Sequence, residues 1–336
     1  MDDDQPSSMG LIGKVTGGVI GAYLIGCVIF AFWWDSEPDH FPVRQNAARI
    51  AEMNNVSLVT GYVTTATVVK IGETLLDKRG GYLSNDVFPP GVWMDNVPEW
   101  EFGTIMLLRD TARVYRNDFS RSQSQSAEDE DLAEAEGHFF FDASSWLLPQ
   151  TEDEYEKGLE YFSAYLTRLA DSGETSAQFY ARADNLQQWL QTVETRLGSL
   201  SQRLSASVGK QQLNTDLAGD TSATQATAAP RDQLVKTDWL EIDNVFYQTR
   251  GYTWALLHML RALEQDFGDV LDKKSARVSL QQIIRELEPS QDTLWSPMVL
   301  NGDGLGMLAN HSLVMASYIA RANAAIIDLR SLLIQG

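Results

Sequence analysis

The hydrophobic pattern of the chain begins with twenty uncharged residues, 15–34, with the sequence VTGGVIGAYLIGCVIFAFWW. At a rise of 1.5 Å per residue this segment is about 30 Å long, enough to cross the hydrocarbon core of a bilayer. It ends at Trp33 and Trp34, aromatic residues typical of a membrane interface, and not at the small-x-small site of a cleaved signal peptide. We therefore predict a retained transmembrane helix at 15–34, preceded by a short tail at 1–14.

The pattern behind this segment is helical almost throughout. Residues 35–42 form a polar, proline-containing exit segment, after which apolar residues recur at spacings of three and four. Such stretches occupy 45–78, 99–118, 151–169, 179–204, 239–267 and 308–332. The pattern predicts an all-α fold, in which the single N-terminal transmembrane helix is followed by a bundle of long amphipathic helices with irregular loops.

Two helical regions are predicted, 43–213 and 231–336, which pack together and are joined by a linker or long loop at 214–230. Thr151 and Glu154 match a capping box that starts one helix, and a second helix follows the turn after Asp171. We expect these two consecutive helices to form an antiparallel hairpin. No segment alternates between apolar and polar residues for long, so a sheet of any size is not expected.

The stretch from Gly80 to Trp100 is rich in glycine, proline and tryptophan, which indicates an ordered irregular loop. Long loops in compact domains are often functional. Tyr82, Trp93 and Trp100 are therefore candidate interaction residues. The structural alternative is that these aromatic residues fill the core of the domain.

A second candidate interaction site lies inside the predicted membrane segment. Gly17 and Gly21 form a G-x-x-x-G pair, a spacing that allows two helices to approach closely in lipid. This pair predicts contact with a partner helix, including that of a second copy of the chain in a homodimer. Glycine is also frequent in membrane helices that make no such contact.

Composition narrows the classes of partner. The chain has 46 acidic and 26 basic residues and a formal net charge of −20, so its surface repels phosphate backbones and nucleic acid is excluded as a partner. The single cysteine, Cys27, lies in the apolar segment. The rest of the chain therefore has no disulfide, thiolate metal site or cysteine nucleophile.

The sequence contains none of the compact motifs that carry known chemistry. The four histidines lack metal-binding spacing, and no phosphate-binding loop or serine nucleophile elbow is present. His258 and His311 lie in apolar helical runs, where a hydrogen-bonded histidine in the core or a groove is expected. No catalytic residue, metal site or cofactor is predicted, and a non-enzymatic role is favoured over an enzymatic one.

Several longer strings resemble the DUF2333 family, a bacterial family of unknown function. They are residues 33–38 (WWDSEP), 80–86 (GGYLSND), 89–93 (PPGVW), 118–124 (DFSRSQS) and 197–205 (LGSLSQRLS). The resemblance extends over nearly the whole chain. It implies a bacterial inner-membrane protein and carries no activity or catalytic residue with it.

Three functions remain open at this point. The first is a non-enzymatic envelope protein, in which residues 15–34 bind the bilayer and the domain, outside the inner membrane in the periplasm, binds another protein. The second is a binding module for lipid or another apolar ligand, since helical bundles form ligand sites between their helices. The third is a cell-wall hydrolase, which needs only one or two carboxylates.

Overall fold

The computed structural model describes residues 8–122, 127–171, 173, 177–213, 232–296, 298–303 and 307–335. Helices dominate these ranges, which confirms the all-α class. The predicted linker at 214–230 lies outside the described residues, as do residues 1–7 of the predicted tail.

Eleven α-helices occur in the described ranges: α1 (Ser8–Trp34), α2 (Val43–Met53), α3 (Tyr62–Asp77), α4 (Asn96–Val114), α5 (Glu130–Phe139), α6 (Thr151–Leu169), α7 (Ala183–Ser205), α8 (Ile242–Asp266), α9 (Gly268–Lys273), α10 (Arg277–Leu287) and α11 (His311–Gln335). Two four-residue strands, β1 (Lys210–Leu213) and β2 (Asp232–Val235), pair antiparallel with Lys210 opposite Val235. This short ladder was not expected from the sequence, and it leaves the fold class unchanged.

Helix α1 differs from the others because it exposes its apolar side chains. Its segment Gly13–Trp34 has a mean hydropathy of 2.1 and is only 6% buried, so it is long and apolar enough to cross a membrane. Helix α11 also has the length and composition of a span, but it is 39% buried and packs against α7 and α10. We assign α11 to the core of the domain.

The predicted helical stretch 45–78 is divided into α2 and α3. Helix α2 ends in a Schellman motif, in which the N–H of Val56 donates to the carbonyl of Ala51 and the N–H of Asn55 donates to that of Glu52. Asn55 adopts a left-handed conformation with φ 54°, which asparagine tolerates better than most residues. The residue that stops α2 is therefore Asn55, but it lies within a stretch whose apolar spacing favours one continuous helix.

Helices α4 and α8 cross in backbone contact at the centre of the domain. A Cβ atom on Gly103 would lie 2.0 Å from the carbonyl oxygen of Gln248, and one on Gly251 would lie 1.9 Å from that of Trp100. Thr104 donates its hydroxyl to the carbonyl of Gly251 at 3.2 Å. Because any side chain at 103 or 251 would separate the helices, both positions require glycine.

The prediction of an α6–α7 hairpin is wrong in the part of the chain that the structure describes. Helix α6 packs against α5 and α3, whereas α7 packs against α11. In the segment just before α7, the N–H of Tyr180 donates to the carbonyl of Phe119 at 2.7 Å. Both apolar stripes are buried as expected, but a stripe does not specify which helix covers it. Helices that lie on either side of the predicted linker are in contact, α4 with α8 and α7 with α11.

Candidate functional site at the junction of α1 and the domain

The exit segment 35–42 is bound to the domain and does not form a free tether. Arg250 of α8 donates from Nε to Oε1 of Glu37 at 2.6 Å and from Nη2 to Oε2 at 2.5 Å. The same guanidinium donates to the carbonyls of Ser290 and Asp292. The Arg250 side chain is only 7% exposed, so a buried cation fixes the exit segment three residues after α1 ends.

A second contact fixes the end of the exit segment. The backbone N–H of Phe41 donates to Nε2 of His258 at 3.1 Å, and Nδ1 of His258 lies 2.7 Å from the carbonyl of Trp254. These partners require a neutral imidazole with its proton on Nδ1, because Nε2 must accept. Burial lowers the pKa of His258 to about 3, so the ring stays neutral over the physiological range.

The loop that follows α3 is held by a buried ion pair. Glu101 of α4 accepts hydrogen bonds from the backbone N–H groups of Leu83 and Ser84, at 2.9 and 2.8 Å. The carboxylate also accepts from the hydroxyl of Ser84 and pairs with the ammonium of Lys78, and the side chains of Lys78 and Glu101 are at most 2% exposed. A buried carboxylate is a candidate for a catalytic role. Glu101 instead has a structural role, because its partners are the ammonium of Lys78 and the groups of the loop that it positions.

The same loop contacts α1 at two levels. A Cβ atom on Gly80, where φ is +87°, would lie 2.8 Å from the indole of Trp34, so glycine permits the ring to pack there. Eleven residues earlier in α1, the hydroxyl of Tyr23 donates to the carbonyl of Pro89 at 3.3 Å. The loop therefore runs beside the C-terminal half of α1.

A cavity of about 490 Å³ opens where these elements meet. It is lined by the end of α1, the exit segment, α4, α8 and the loop after α10. Three carboxylates, those of Asp35, Glu37 and Asp39, line it together with the cationic side chains of Lys78 and Arg250. Burial raises the pKa of the Asp35 carboxyl, and the negative charges of Glu37 and Asp95 raise it further. The cavity is thus polar and lined by charges of both signs.

A smaller recess of about 240 Å³ lies against α1 on the other side of Asp35. Its walls are mostly apolar and comprise Val28, Ala31 and Phe32 of α1 with Trp93 and Met94 of the loop. An apolar recess of this kind accommodates hydrocarbon groups, such as a side chain of a neighbouring helix or part of an acyl chain.

The candidate interaction residues occupy different environments. Tyr82 is 4% exposed and donates to the carbonyl of Ala143 at 2.7 Å, and Trp100 is 1% exposed and packs on Trp254. Burial leaves Tyr82 and Trp100 without a surface to present to a partner, as the structural alternative expected. Trp93 is 56% exposed, so the interaction hypothesis now depends on Trp93 alone.

The glycines of α1 remain uncovered. A Cβ atom on Gly17 or Gly21 would have no heavy atom within 4 Å outside the helix itself. Both lie on the helix face that continues to Val28 and Phe32 of the recess, because the spacings of four, seven and four residues keep these positions aligned. The two candidate sites named from the sequence, at Gly17–Gly21 and at Trp93, therefore lie on one side of α1.

Sequence reasoning missed Glu37 and Arg250 and identified His258 only as a core or groove histidine, which its burial and hydrogen bonds confirm. His311 is also hydrogen bonded, accepting from the N–H of Leu300 at 3.0 Å. The available signal for Arg250 was its place among the apolar residues of α8, since a buried cation needs a partner.

Comparison with known proteins gives one positive result. A family model described as "Uncharacterized protein conserved in bacteria (DUF2333)" matches residues 7–336, essentially the whole chain. No curated protein and no solved structure matches it.

Proposed function

The chain belongs to the DUF2333 family of uncharacterised bacterial proteins, and on that premise we propose that it is a single-pass inner-membrane scaffold that binds another membrane protein without catalysing a reaction. In this proposal α1 is a retained anchor and the helical domain lies on the periplasmic side. The observation that carries the proposal is the rigid junction between α1 and the domain.

The contacts of α1 support a retained anchor. A signal peptide is removed and has no lasting role in the packing of the mature domain. Here Trp34 packs on Gly80, and Tyr23 donates to Pro89, so α1 contributes to the surface of the folded domain. The exposed apolar side chains of the remaining α1 faces are suited to lipid.

The junction also supports a scaffold. Arg250 and His258 bind the exit segment within seven residues of the end of α1, through Glu37 and the backbone of Phe41. A flexible tether would let the domain rotate freely above the membrane, whereas this junction fixes its orientation. A fixed orientation is useful to a protein that presents a surface to a partner in the same membrane.

The surface offered to that partner is the side of α1 that carries Gly17, Gly21 and, farther along, the recess at Trp93. A partner helix packed on the two glycines would continue toward the recess and would insert one of its apolar side chains there. Tryptophan at the edge of such a recess is the type of residue that contributes most to binding interfaces.

Photo-crosslinking in living cells tests this proposal. We would place a photo-reactive amino acid at Leu24, which lies on the same side of α1 and is 45% exposed, in the full chain. We expect a covalent adduct with a membrane protein that disappears in the Gly17→Leu/Gly21→Leu variant and decreases in Trp93→Ala.

The matched control is Gly26→Leu, because Gly26 lies about two and a half turns from Gly17 and therefore on the opposite face. Its Cβ atom would also meet nothing within 4 Å. The adduct should persist in this control. Adducts with lipid alone, or a protein adduct equally reduced by Gly26→Leu, would overturn the proposed partner surface; an adduct with a second copy would identify the partner as the chain itself.

A second candidate function, binding of an apolar ligand, is favoured by the apolar walls of the recess at Trp93. It predicts that a lipid molecule remains bound after purification in mild detergent and is lost in Trp93→Ala. Native mass spectrometry of the full chain distinguishes the two functions, because a scaffold would show no retained lipid mass that depends on Trp93.

A further inference from the structure

Three loops of the domain expose large apolar side chains around the end of α1. We call these side chains the apolar rim. The exposed fractions reach 76% for Phe88, 88% for Leu148 and 92% for Trp295, and the other members are also half exposed or more. The rim comprises Phe88, Val92, Trp93, Trp146, Leu147, Leu148, Trp295 and Met298.

Each loop of the rim borders the C-terminal part of α1. The first loop contributes Trp93 to the recess beside Val28 and Phe32. The second places Trp146 in a groove that it shares with Trp34 and Phe88.

The third loop of the rim carries Leu294 and Ser296, the residues on either side of Trp295. Both of these neighbours line the large cavity together with Phe32 of α1. The three loops therefore surround the site where α1 leaves the domain.

The depth of the first loop follows from its contact with Tyr23. Tyr23 lies eleven residues before Trp34, which is about 16 Å along the helix axis. The tip of the loop at Pro89 therefore lies beside the segment Gly13–Trp34 and not above its end. If α1 crosses the membrane, this loop reaches below the level of Trp34.

Several backbone groups of the loop are suited to such a position. Lipid offers no hydrogen bonds, so polar backbone groups at that depth need partners within the protein. The carbonyls of Phe88, Pro90 and Gly91 accept from the N–H groups of Val92, Trp93 and Met94, and the carbonyl of Pro89 accepts from Tyr23. Pro89 and Pro90 have no N–H to satisfy.

We infer that the apolar rim is a second membrane-binding surface, which enters the leaflet on the domain side and seats the domain on the bilayer. This inference rests on the proposed membrane anchoring by α1. Its occupant is the apolar and interfacial region of the bilayer, where tryptophan is preferred. With a net charge of −20, the chain gains no attraction from anionic headgroups. The rim therefore binds zwitterionic membranes as well as it binds anionic ones.

Fluorescence quenching in vesicles tests the rim. The full chain with Cys27→Ala carries one added cysteine, Phe88→Cys, Leu148→Cys or Trp295→Cys, labelled with an environment-sensitive nitrobenzoxadiazole dye. The vesicles contain phosphatidylcholine with and without a spin label on the acyl chain. We expect at least threefold more quenching at each rim position than at the control Val278→Cys, an apolar position that is 75% exposed on α10.

A further label at Ile20→Cys, 54% exposed on α1, separates failure of the rim from failure of the anchor. Quenching at Ile20 with the rim positions no different from Val278 would overturn the rim and leave the anchor intact. Absence of quenching at Ile20 would overturn both. Rim quenching that requires added phosphatidylglycerol would contradict an apolar mode of binding.

Discussion

Arg250 and Glu37 form a bidentate ion pair, although the two residues are 213 positions apart in the sequence. It joins the segment that leaves α1 to the central helix of the domain. The guanidinium is almost fully buried and also holds the carbonyls of Ser290 and Asp292. A single side chain therefore connects the proposed anchor, α8 and the loop after α10.

The first prediction follows from this arrangement. Arg250→Ala should lower the free energy of unfolding by about 3–5 kcal/mol, because it leaves Glu37 and the carbonyls partly buried without their donor. The control is Arg261→Ala on the same helix, whose pair with Glu288 is largely solvated and should contribute at most about 1 kcal/mol. Chemical denaturation of the full chain in detergent micelles measures both. Equal effects would contradict a special role for Arg250.

The crossing of α4 and α8 gives a second prediction. Gly103→Ala and Gly251→Ala should each destabilise the domain by about 3 kcal/mol or more, because the added methyl group meets backbone atoms that cannot move aside. Gly137→Ala on α5 is the matched control, since its Cβ atom meets nothing within 4 Å. That change should instead stabilise by about 0.5–1 kcal/mol through helix propensity. Thermal or chemical unfolding shows whether each variant is less stable or more stable than the parent.

Local patterns account for what could be predicted from the sequence. The uncharged run of α1 and the three-and-four spacing of the other helices are properties of neighbouring residues, and they established the fold class. The partners of α6 and α7 could not be predicted, because an apolar stripe defines which face is buried but not which helix buries it. The Arg250–Glu37 pair could not be predicted either, because the sequence does not show which residue 213 positions away pairs with Arg250.

The candidate residues show a similar division. Composition identified the loop after Gly80 as ordered and aromatic, but it could not separate the exposed Trp93 from the buried Trp100. That difference depends on Glu101, which draws the start of the loop onto α4, and on Trp254 of α8, which covers Trp100. Both partners become visible only in three dimensions.

A third prediction concerns pH and His258. Its pKa is about 3 in the folded protein and about 6.5 in an unfolded chain, so between these values only the unfolded state binds the proton. Stability from the neutral ring is complete above pH 6.5 and decreases by about 1.4 kcal/mol per pH unit as the pH falls toward 3. The nearby charges of protonated His40 and Arg261 oppose protonation further.

The variant His258→Gln provides the comparison for this pH dependence. It keeps a polar side chain but cannot titrate, so its stability should decline less steeply than that of the parent below pH 6.5. Unfolding free energies measured at pH 7, 5.5 and 4.5 give the two slopes. Parallel slopes would show that the exit segment is not held by a neutral histidine.

The fourth prediction concerns the side of the membrane on which the domain lies. Val278→Cys in the Cys27→Ala background provides one exposed thiol on α10, and the cysteine-free parent provides the blank. We expect a maleimide reagent that crosses the outer but not the inner membrane to label intact bacteria as fully as lysed ones. The labelled protein should also retain the peptide of α1, because the proposed anchor, unlike a signal peptide, is not cleaved.

Each result of this labelling changes the proposed function in a defined way. Labelling only after lysis would place the domain in the cytoplasm, and the partner at Gly17–Gly21 and Trp93 would then be sought among proteins with cytoplasmic domains. Labelled protein without the α1 peptide would overturn the anchor, the scaffold and the apolar rim together, because all three depend on α1 remaining attached beside the loop at Pro89. Full labelling of the intact chain would direct the crosslinking at Leu24 to membrane proteins with periplasmic domains.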